Sequence, residues 1–324
     1  MSSDFRLLMI GAMYENGGNT THRFLDGHPQ LYVYPFESQP GTRLVMDALS
    51  STFPVKYRWP VFALDATAEQ DYRAIIDEET KVRARTPHVS KFRNRPFDLD
   101  DDERMEIYCR YVAETGRSRA NNMAAFFRAT FDAWKDHASS GREQVYVGYS
   151  PIIVVDADKI LDDLPHAHFL HVVRNPWSAY ADTKKRPVPL SLAHYMLGWM
   201  LNQQHAMLFR KRYPDRMHIV RVEDIMADAI AGLRPICERL GLEVHEALSA
   251  PSWNGQPLDQ IYPWGTIRTP TPEANLRTAE ELSVEERDDV RRWAAPYLQP
   301  LGYTDFLDGG TLAGSETALF AERR

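Results

Sequence analysis

The sequence predicts an α/β protein: a three-layer sandwich with a central parallel sheet, helices on both faces and a mainly helical insertion. Three observations carry this. Residues 5–12 (FRLLMIGA) and 168–174 (HFLHVVR) are short, nearly continuous apolar runs, as expected for strands covered on both faces. Each run ends in a turn signal and passes into a helix start: Gly17-Gly18 before Asn19, Thr20 and Thr21, and Arg174-Asn175-Pro176 before Ser178. From about residue 144 to residue 303, strand and helix patterns alternate, as in βαβ units.

The first strand leads to a short helix that Asn19, Thr20 or Thr21 can cap, with Gly27 as its C-cap and Pro29 as its stop. A second strand, LYVYPF (31–36), ends at Glu37, and a helix is expected from Pro40 to Leu49. Residues 55–145 are charge-dense, rich in arginine and aromatics, and read as mainly helical. There a basic stretch (81–97) runs into DLDDDER (98–104), where Asp98 or Asp100 caps a helix through about residue 115. A helix from Ala120 to His137 carries Met123, Phe126, Phe127, Phe131 and Trp134 largely on one face, a core stripe.

QVYVGYS (144–150) returns to strand, and IIVVDADKILDDL reads as an apolar segment followed by a helix. After the 168–174 strand come a long helix (189–212), a strand ending in an acidic pair (218–225) and a helix (231–242). Residues 250–278, rich in Pro, Trp and Gly, are expected to form a long loop. The last helix (282–303) opens on Ser283, with Glu286 completing a capping box. The expectation is one domain over residues 1–306, an insertion at about 55–143 and a loose tail at 307–324.

Of 324 residues, 44% are hydrophobic and 26% charged, which is ordinary globular composition. A net charge of −7 leaves no electrostatic footprint for nucleic acid. Cys109 and Cys237 suggest no disulfide framework or zinc site, and read as apolar fillers in a reducing compartment. No run approaches the length of a membrane span, and the early apolar run is too short for a secretory signal, so a cytoplasmic protein is expected. No metal-ligand cluster is evident, and no metal is expected. Nothing in the sequence fixes an oligomeric state.

The two strand-to-helix turns carry the chemistry. A guanidinium at a strand's carboxyl end and a hydroxyl in the next helical turn, Arg174 and Ser178, can share one phosphate with free backbone N–H groups. Ligands of open parallel sheets bind at that edge. The plainer reading is a surface arginine beside an ordinary helix start. At the first turn Gly17 and Gly18 permit close backbone approach, and Asn19, Thr20 and Thr21 can donate to an anion; a simple tight turn is the alternative. Two such turns suit a ligand with two separated phosphates. The turn is not a Walker A loop, because no GxxxxGK[ST] occurs.

In these pieces and their order the chain resembles the sulfotransferases that use 3′-phosphoadenosine 5′-phosphosulfate (PAPS). The resemblance rests on the opening turn and helix ending in His28-Pro29 and on the Arg-Asn-Pro turn with Ser178. VRVEDIMADAIAGLRPICERLGL, Trp253-Asn254-Gly255 and Leu301-Gly302-Tyr303 add to it. It covers the first 40 residues and most of 144–303; the insertion carries no family signature.

The resemblance implies a P-loop-like sandwich, PAPS as co-substrate, adenosine 3′,5′-bisphosphate as product, and a small-molecule or carbohydrate hydroxyl as acceptor. Counting back from His28-Pro29 puts Asn16-Gly17 at the family's Ser-Gly, and Gly18 and Asn19 at its two threonines; a slipped register uses Thr20 and Thr21. These residues would hold the 5′-phosphosulfate, and Arg174 and Ser178 the 3′-phosphate. Arg268, in a late loop, is the candidate for the family's additional basic group there, or else a solvated arginine.

One departure stands out. Where the family usually has Lys or Arg just before the first turn, this chain has Glu15, and residues 13–21 contain no cation. The glutamate is expected to face away, with a cation from elsewhere: Lys91, Arg93, Lys184 or Lys185. Glu37 is the candidate general base. It ends the second strand on the phosphate edge, eight residues past Pro29, like the base glutamate of some carbohydrate sulfotransferases that this segment resembles. A salt-bridged surface glutamate is the alternative. His88 is the second candidate base, while His22 and His28 read as structural. Tyr57, Trp59, Arg85 and Arg93 of the insertion are available to an acceptor. Two other functions fit two phosphate turns: a non-catalytic adenosine bisphosphate binder, which is compatible with Glu15, and a nucleotide-dependent kinase, which the missing Walker lysine and hydroxyl disfavour.

Overall fold

A computed structural model describes residues 4–90, 92–258 and 271–308. Its centre is a five-stranded parallel sheet of β1 (Leu7–Ala12), β2 (Leu31–Val33), β3 (Val145–Pro151), β4 (Ala167–Val173) and β5 (Met217–Arg221), in the order β2-β3-β1-β4-β5. The apolar runs become strands because both of their faces are covered. Leu7 and Met9 of β1 enter one core with Phe169 and Val173 of β4. Leu8, Ile10 and Ala12 enter a second core with Leu170 and Val172. In β1, Leu7, Leu8, Met9 and Ile10 are all 0% exposed, which explains why no alternation marks the strand.

The second core is closed by α1 (Gly18–Leu25), α9 (Val222–Ala227) and α10 (Ala229–Arg239). The first is closed by α4 (Asp101–Thr115), α5 (Arg119–Ala133), α6 (Ala157–Asp163), α7 (Pro176–Lys184), α8 (Leu192–Arg212) and α12 (Val284–Leu301). Helices thus lie on both faces, as expected. The neighbouring strands β1 and β4 send α1 and α7 to opposite faces. Such a divergence of neighbouring connections marks the edge, outside the carboxyl ends of the strands, where parallel sheets bind ligands.

The insertion is helical and anchored by buried charge. It contributes α2 (Ala68–Ala74), α3 (Glu78–Arg85), α4 and α5. Arg104 of α4, 0% exposed, donates to Asp77 (2.8 Å), Asp101 (2.7 Å) and the Tyr72 hydroxyl (2.6 Å). These bonds tie α2, the start of α3 and α4 to one point. Asp100 is the cap of α4, accepting from the Asp102 and Glu103 amides. The stripe on α5 is core: Met123, Phe126 and Phe127 are fully buried.

Several expectations are corrected. Residues 40–49 are not helical. The chain there runs through turns, closed by the Val45 amide on the Thr42 carbonyl and the Ser50 amide on the Asp47 carbonyl, and the Gln39 and Gly41 carbonyls at its start accept from the Asp77 and Ile76 amides. Tertiary pairing overrides helix propensity. Strand β2 stops at Val33, and the acidic pair Glu223-Asp224 lies in the first turn of α9 rather than at the end of a strand. Helix α5 ends at Ala133, short of His137. Within 250–278 there is order: a hairpin of β6 (Ser252–Trp253) and β7 (Gln256–Pro257), then α11 (Pro272–Glu280). Pro272 starts α11 because proline suits the first helical turn, with Thr271 as the cap. The capping box of α12 forms as expected from Ser283 and Glu286. Residues 309–324 of the expected tail lie outside the described residues.

Candidate active site

The loop after β1 makes two left-handed turns, at Glu15 (φ 59°) and Gly17 (φ 84°). A side chain at Gly17 would be strained by that φ, and its Cβ would lie 2.3 Å from Val222. A Cβ on Gly18 would lie 2.4 Å from the Tyr149 ring. The two glycines therefore let α1 start hard against β3 and α9. Gly17, the N-cap of α1, makes no side-chain cap, and the first turn holds no acidic residue. Among the described residues no side chain caps the amides at this helix start, and a helix N-terminus favours negative charge.

The other candidate residues of this turn divide by role. Asn16 is a brace: Oδ1 accepts from the Arg174 amide (3.0 Å), and Nδ2 donates to the Tyr195 hydroxyl (2.9 Å) and the Tyr14 carbonyl (2.8 Å). Thr21 is buried and donates to the Gly17 carbonyl (3.0 Å). Asn19 is half-buried and Thr20 buried beside the open helix start.

Arg174, at the end of β4, is 1% exposed. Nη1 donates to Asp182 (2.7 Å) and to the Glu15 carbonyl (3.0 Å), and Nε donates to Asn275 Oδ1 on α11 (2.7 Å). Ser178 is buried and donates through Oγ to the Asn275 carbonyl (2.6 Å). The bonds from the Arg174 amide to Asn16 and from Arg174 Nη1 to the Glu15 carbonyl tie the two turns to each other. The amides expected to be free at this second turn are met by protein acceptors. Asn175 caps the Ser178 amide (2.9 Å), and Glu223 accepts from the Asn175 amide (2.9 Å). Tyr303 donates to the other Glu223 oxygen (2.8 Å), and its burial with that carboxylate pushes the phenol well up.

Glu37 lies just past β2, held to the carboxyl end of β3 because the adjacent Ser38 amide donates to the Tyr149 carbonyl (2.7 Å). Its amide donates to Glu79 of α3 (3.3 Å), and Gln39 donates to its carboxylate (3.4 Å). Burial pushes the Tyr14 phenol up to about 12, against the pull of Arg186 and with Glu37 adding to the rise. The Tyr57 phenol is raised too, by burial and then by Glu37, Tyr14 and Glu79. Glu37 is therefore within electrostatic reach of both tyrosines, whose rings meet edge-on at 6.1 Å. Beside it opens a cleft of about 280 Å³ whose walls include Phe36, Tyr57, Glu79, Val82 and Phe92. His88 is exposed on a 3-10 turn, Pro87–Val89, at the rim, where Val89 and Ser90 line the cleft.

Besides Arg174, a second cation, Arg186, stands at the first turn, next in sequence to the expected Lys184 and Lys185. Its Nε is 4.0 Å from the Glu15 carboxylate, and its guanidinium lies 4.8 Å over the Tyr14 ring. Lys184 is paired with Glu286, and Lys185 with Asp182 and Glu281. Arg93 is exposed; Lys91 and Arg268 lie outside the described residues. Asn275 and Asp182 were also missed; a Thr-Pro helix start and an aspartate eight residues after an arginine were the available signals. His22 is buried against Arg23 (2.8 Å), and the His28 ring contacts the Glu243 carbonyl (3.0 Å).

Among the described residues no group of three or more His, Cys, Asp or Glu could hold a metal ion. Among them, too, no helix is long and apolar enough to cross a membrane.

A comparison with curated proteins gives no match. Among solved structures, the chain is similar to the sulfotransferase domain from the Synechococcus PCC 7002 olefin synthase: 19% identity, 86% of this chain and 95% of that one, TM-score 0.45. It is also similar to the sulfotransferase domain from the curacin biosynthetic pathway: 13% identity, 90% and 97% coverage, TM-score 0.47. A sulfotransferase from Alicyclobacillus acidocaldarius gives 15% identity, 94% and 94% coverage, and TM-score 0.44. The profile of the sulfotransferase family matches residues 9–246, a span that runs from β1 past both turns and beyond α10, and the chain belongs to that family.

Proposed function

We propose that this protein transfers a sulfuryl group from PAPS to a hydroxyl of a small-molecule or carbohydrate acceptor, releasing adenosine 3′,5′-bisphosphate. The observation that carries the proposal is the uncapped start of α1 lying beside Arg174, the two turns being tied by the Asn16 and Glu15 bonds. The helix start suits the 5′-phosphosulfate through its amides, with Asn19 and Thr20 at hand. Arg174 and Ser178 suit the 3′-phosphate, and one buried Arg174 donor, Nη2, has no hydrogen-bond partner among the described residues.

The donor supplies an activated sulfuryl group. The chain must then orient the acceptor in line, offset developing charge and remove a proton. Glu37 takes the proton from an acceptor hydroxyl held in the cleft between Phe36, Tyr57 and Phe92. Arg186 supplies the positive charge that the first turn lacks, and its contact with Glu15 keeps that carboxylate engaged. His88 is the second candidate base.

A second reading, a non-catalytic binder of the same nucleotide, is favoured by Glu15 at the family's usual cation position. Labelled-sulfate transfer from PAPS to a panel of phenols, alcohols and sugars separates the two. Transfer that depends on Glu37 supports the enzyme. Nucleotide binding without transfer to any acceptor supports the binder.

A further inference from the structure

Helix α11 packs on α7 and lays one residue over both groups of the second turn. Asn275, 1% exposed, offers Oδ1 to Arg174 Nε (2.7 Å) and its carbonyl to Ser178 Oγ (2.6 Å). The fit is incomplete. Nε and Nη2 form the side edge of a guanidinium, which engages two oxygens of a carboxylate or phosphate at once. The amide supplies one oxygen to that edge. Arg174 Nη2 and Asn275 Nδ2 are both buried without a hydrogen-bond partner among the described residues. Leaving a charged donor unmet in the interior is costly. Arg174 is not left without counter-charge, since Asp182 is on Nη1; what the described residues do not supply is a second acceptor on the side edge.

We propose that Asn275 holds the place of a nucleoside 3′-phosphate in the nucleotide-free protein, and that α11 must withdraw for the nucleotide to bind. The proposal rests on the assignment of Arg174 and Ser178 to the 3′-phosphate. One phosphate oxygen replaces the Asn275 amide oxygen on Nε, a second takes the empty Nη2 position, and a third replaces the Asn275 carbonyl on Ser178. A nucleotide carrying only a 5′-phosphate makes none of these exchanges and leaves α11 in place. Asn275 thereby sets the threshold for nucleotide discrimination: affinity for the 3′-phosphorylated ligand is reduced by the fraction of molecules in which α11 is closed.

The test measures binding of adenosine 3′,5′-bisphosphate and of adenosine 5′-phosphate by titration calorimetry to the wild type, Asn275→Ala and Asn275→Asp. Removing the amide should lower the bisphosphate Kd by about tenfold and leave the monophosphate unchanged. The aspartate puts two oxygens on the side edge and should raise the bisphosphate Kd by about tenfold or more. Hydrogen exchange on the wild type gives a readout without substitution: bisphosphate should speed exchange of the α11 amides, whereas a bound ligand that α11 contacts would slow it. Weaker or unchanged bisphosphate binding by Asn275→Ala, or protection of α11 on binding, overturns the proposal while leaving the phosphate assignment standing. Bisphosphate binding no tighter than monophosphate in all three proteins overturns both.

Discussion

Replacing Arg174 by alanine should destabilise the protein by about 3 kcal/mol. Arg174 Nη1 is 2.7 Å from Asp182 Oδ2, and both side chains are essentially buried. Removing one member of a buried pair typically costs about 3–5 kcal/mol, because the remaining charge has lost its partner without regaining water. Lys185, 3.0 Å from the other Asp182 oxygen and partly exposed, keeps some compensation, which places the loss at the low end. At roughly 2 °C per kcal/mol for a chain of this size, the unfolding midpoint should fall by about 6 °C. Adding Asp182→Asn removes the stranded charge, so the double variant should recover about 1–2 kcal/mol of the loss. Arg174→Lys keeps a charge beside Asp182 but has no planar fork. It should cost only about 1 kcal/mol in stability and still lose the preference for a 3′-phosphate. Scanning calorimetry of the four proteins gives the stabilities. A cost below about 1 kcal/mol for Arg174→Ala, with simple additivity in the double variant, would refute the reading of Arg174 and Asp182 as a buried, energetically coupled pair.

Other outcomes follow from the same geometry. Glu37→Gln should cut transfer by about 10²–10⁴ with bisphosphate affinity unchanged, measured by turnover and titration; near-normal turnover would pass the role to His88. Arg186→Ala should lower turnover while the ratio of bisphosphate to monophosphate affinity stays fixed, since Arg186 touches Glu15 and Tyr14 rather than the second turn. Gly18→Ala should cost about 1–3 kcal/mol in a denaturant titration, because its Cβ meets the Tyr149 ring at 2.4 Å. Burial works to raise the Asp101 carboxyl, but Arg104 and Tyr72 outweigh it and hold the pKa at about 2, below the ordinary 3.8. A folded pKa below the unfolded one stabilises above the unfolded value and is lost as pH falls through the folded one. The unfolding midpoint should therefore drop between about pH 4 and pH 2, and Asp101→Asn should flatten that window by roughly 2 kcal/mol.

What could be read in the sequence was what local chemistry controls. The Arg-Asn-Pro turn, the Ser283/Glu286 capping box and the buried-strand runs each depend on neighbours a few residues away. The sandwich with two covered faces follows from those runs. What could not be read depends on partners distant in the chain. Asn16 sits where a phosphate-facing side chain is expected, yet its amide is taken by Tyr195 and Arg174, contacts that no spacing encodes. Residues 40–49 make turns in place of the expected helix, and Gly41 at their start bonds to Lys56 and Ile76, partners distant in the chain. Arg186 was obscured by the lysines beside it, which turn to Glu286, Glu281 and Asp182. Helix α11 was obscured by the Thr-Pro repeat that ends in its first residue, Pro272, although a Thr-Pro pair is a helix start as readily as a loop.

The central claim is that one crevice reads two phosphates on one nucleotide, the first at the start of α1 and the second at Arg174 and Ser178. The most direct measurement is thermal stabilisation of the wild type by adenosine 3′,5′-bisphosphate, adenosine 5′-phosphate and adenosine 5′-diphosphate at matched concentrations. A ligand bound only by the native state raises its midpoint in proportion to the logarithm of ligand concentration over Kd. The account predicts the largest shift for the bisphosphate, and collapse of its advantage over the monophosphate in Arg174→Lys. Equal shifts for the bisphosphate and the monophosphate would contradict it.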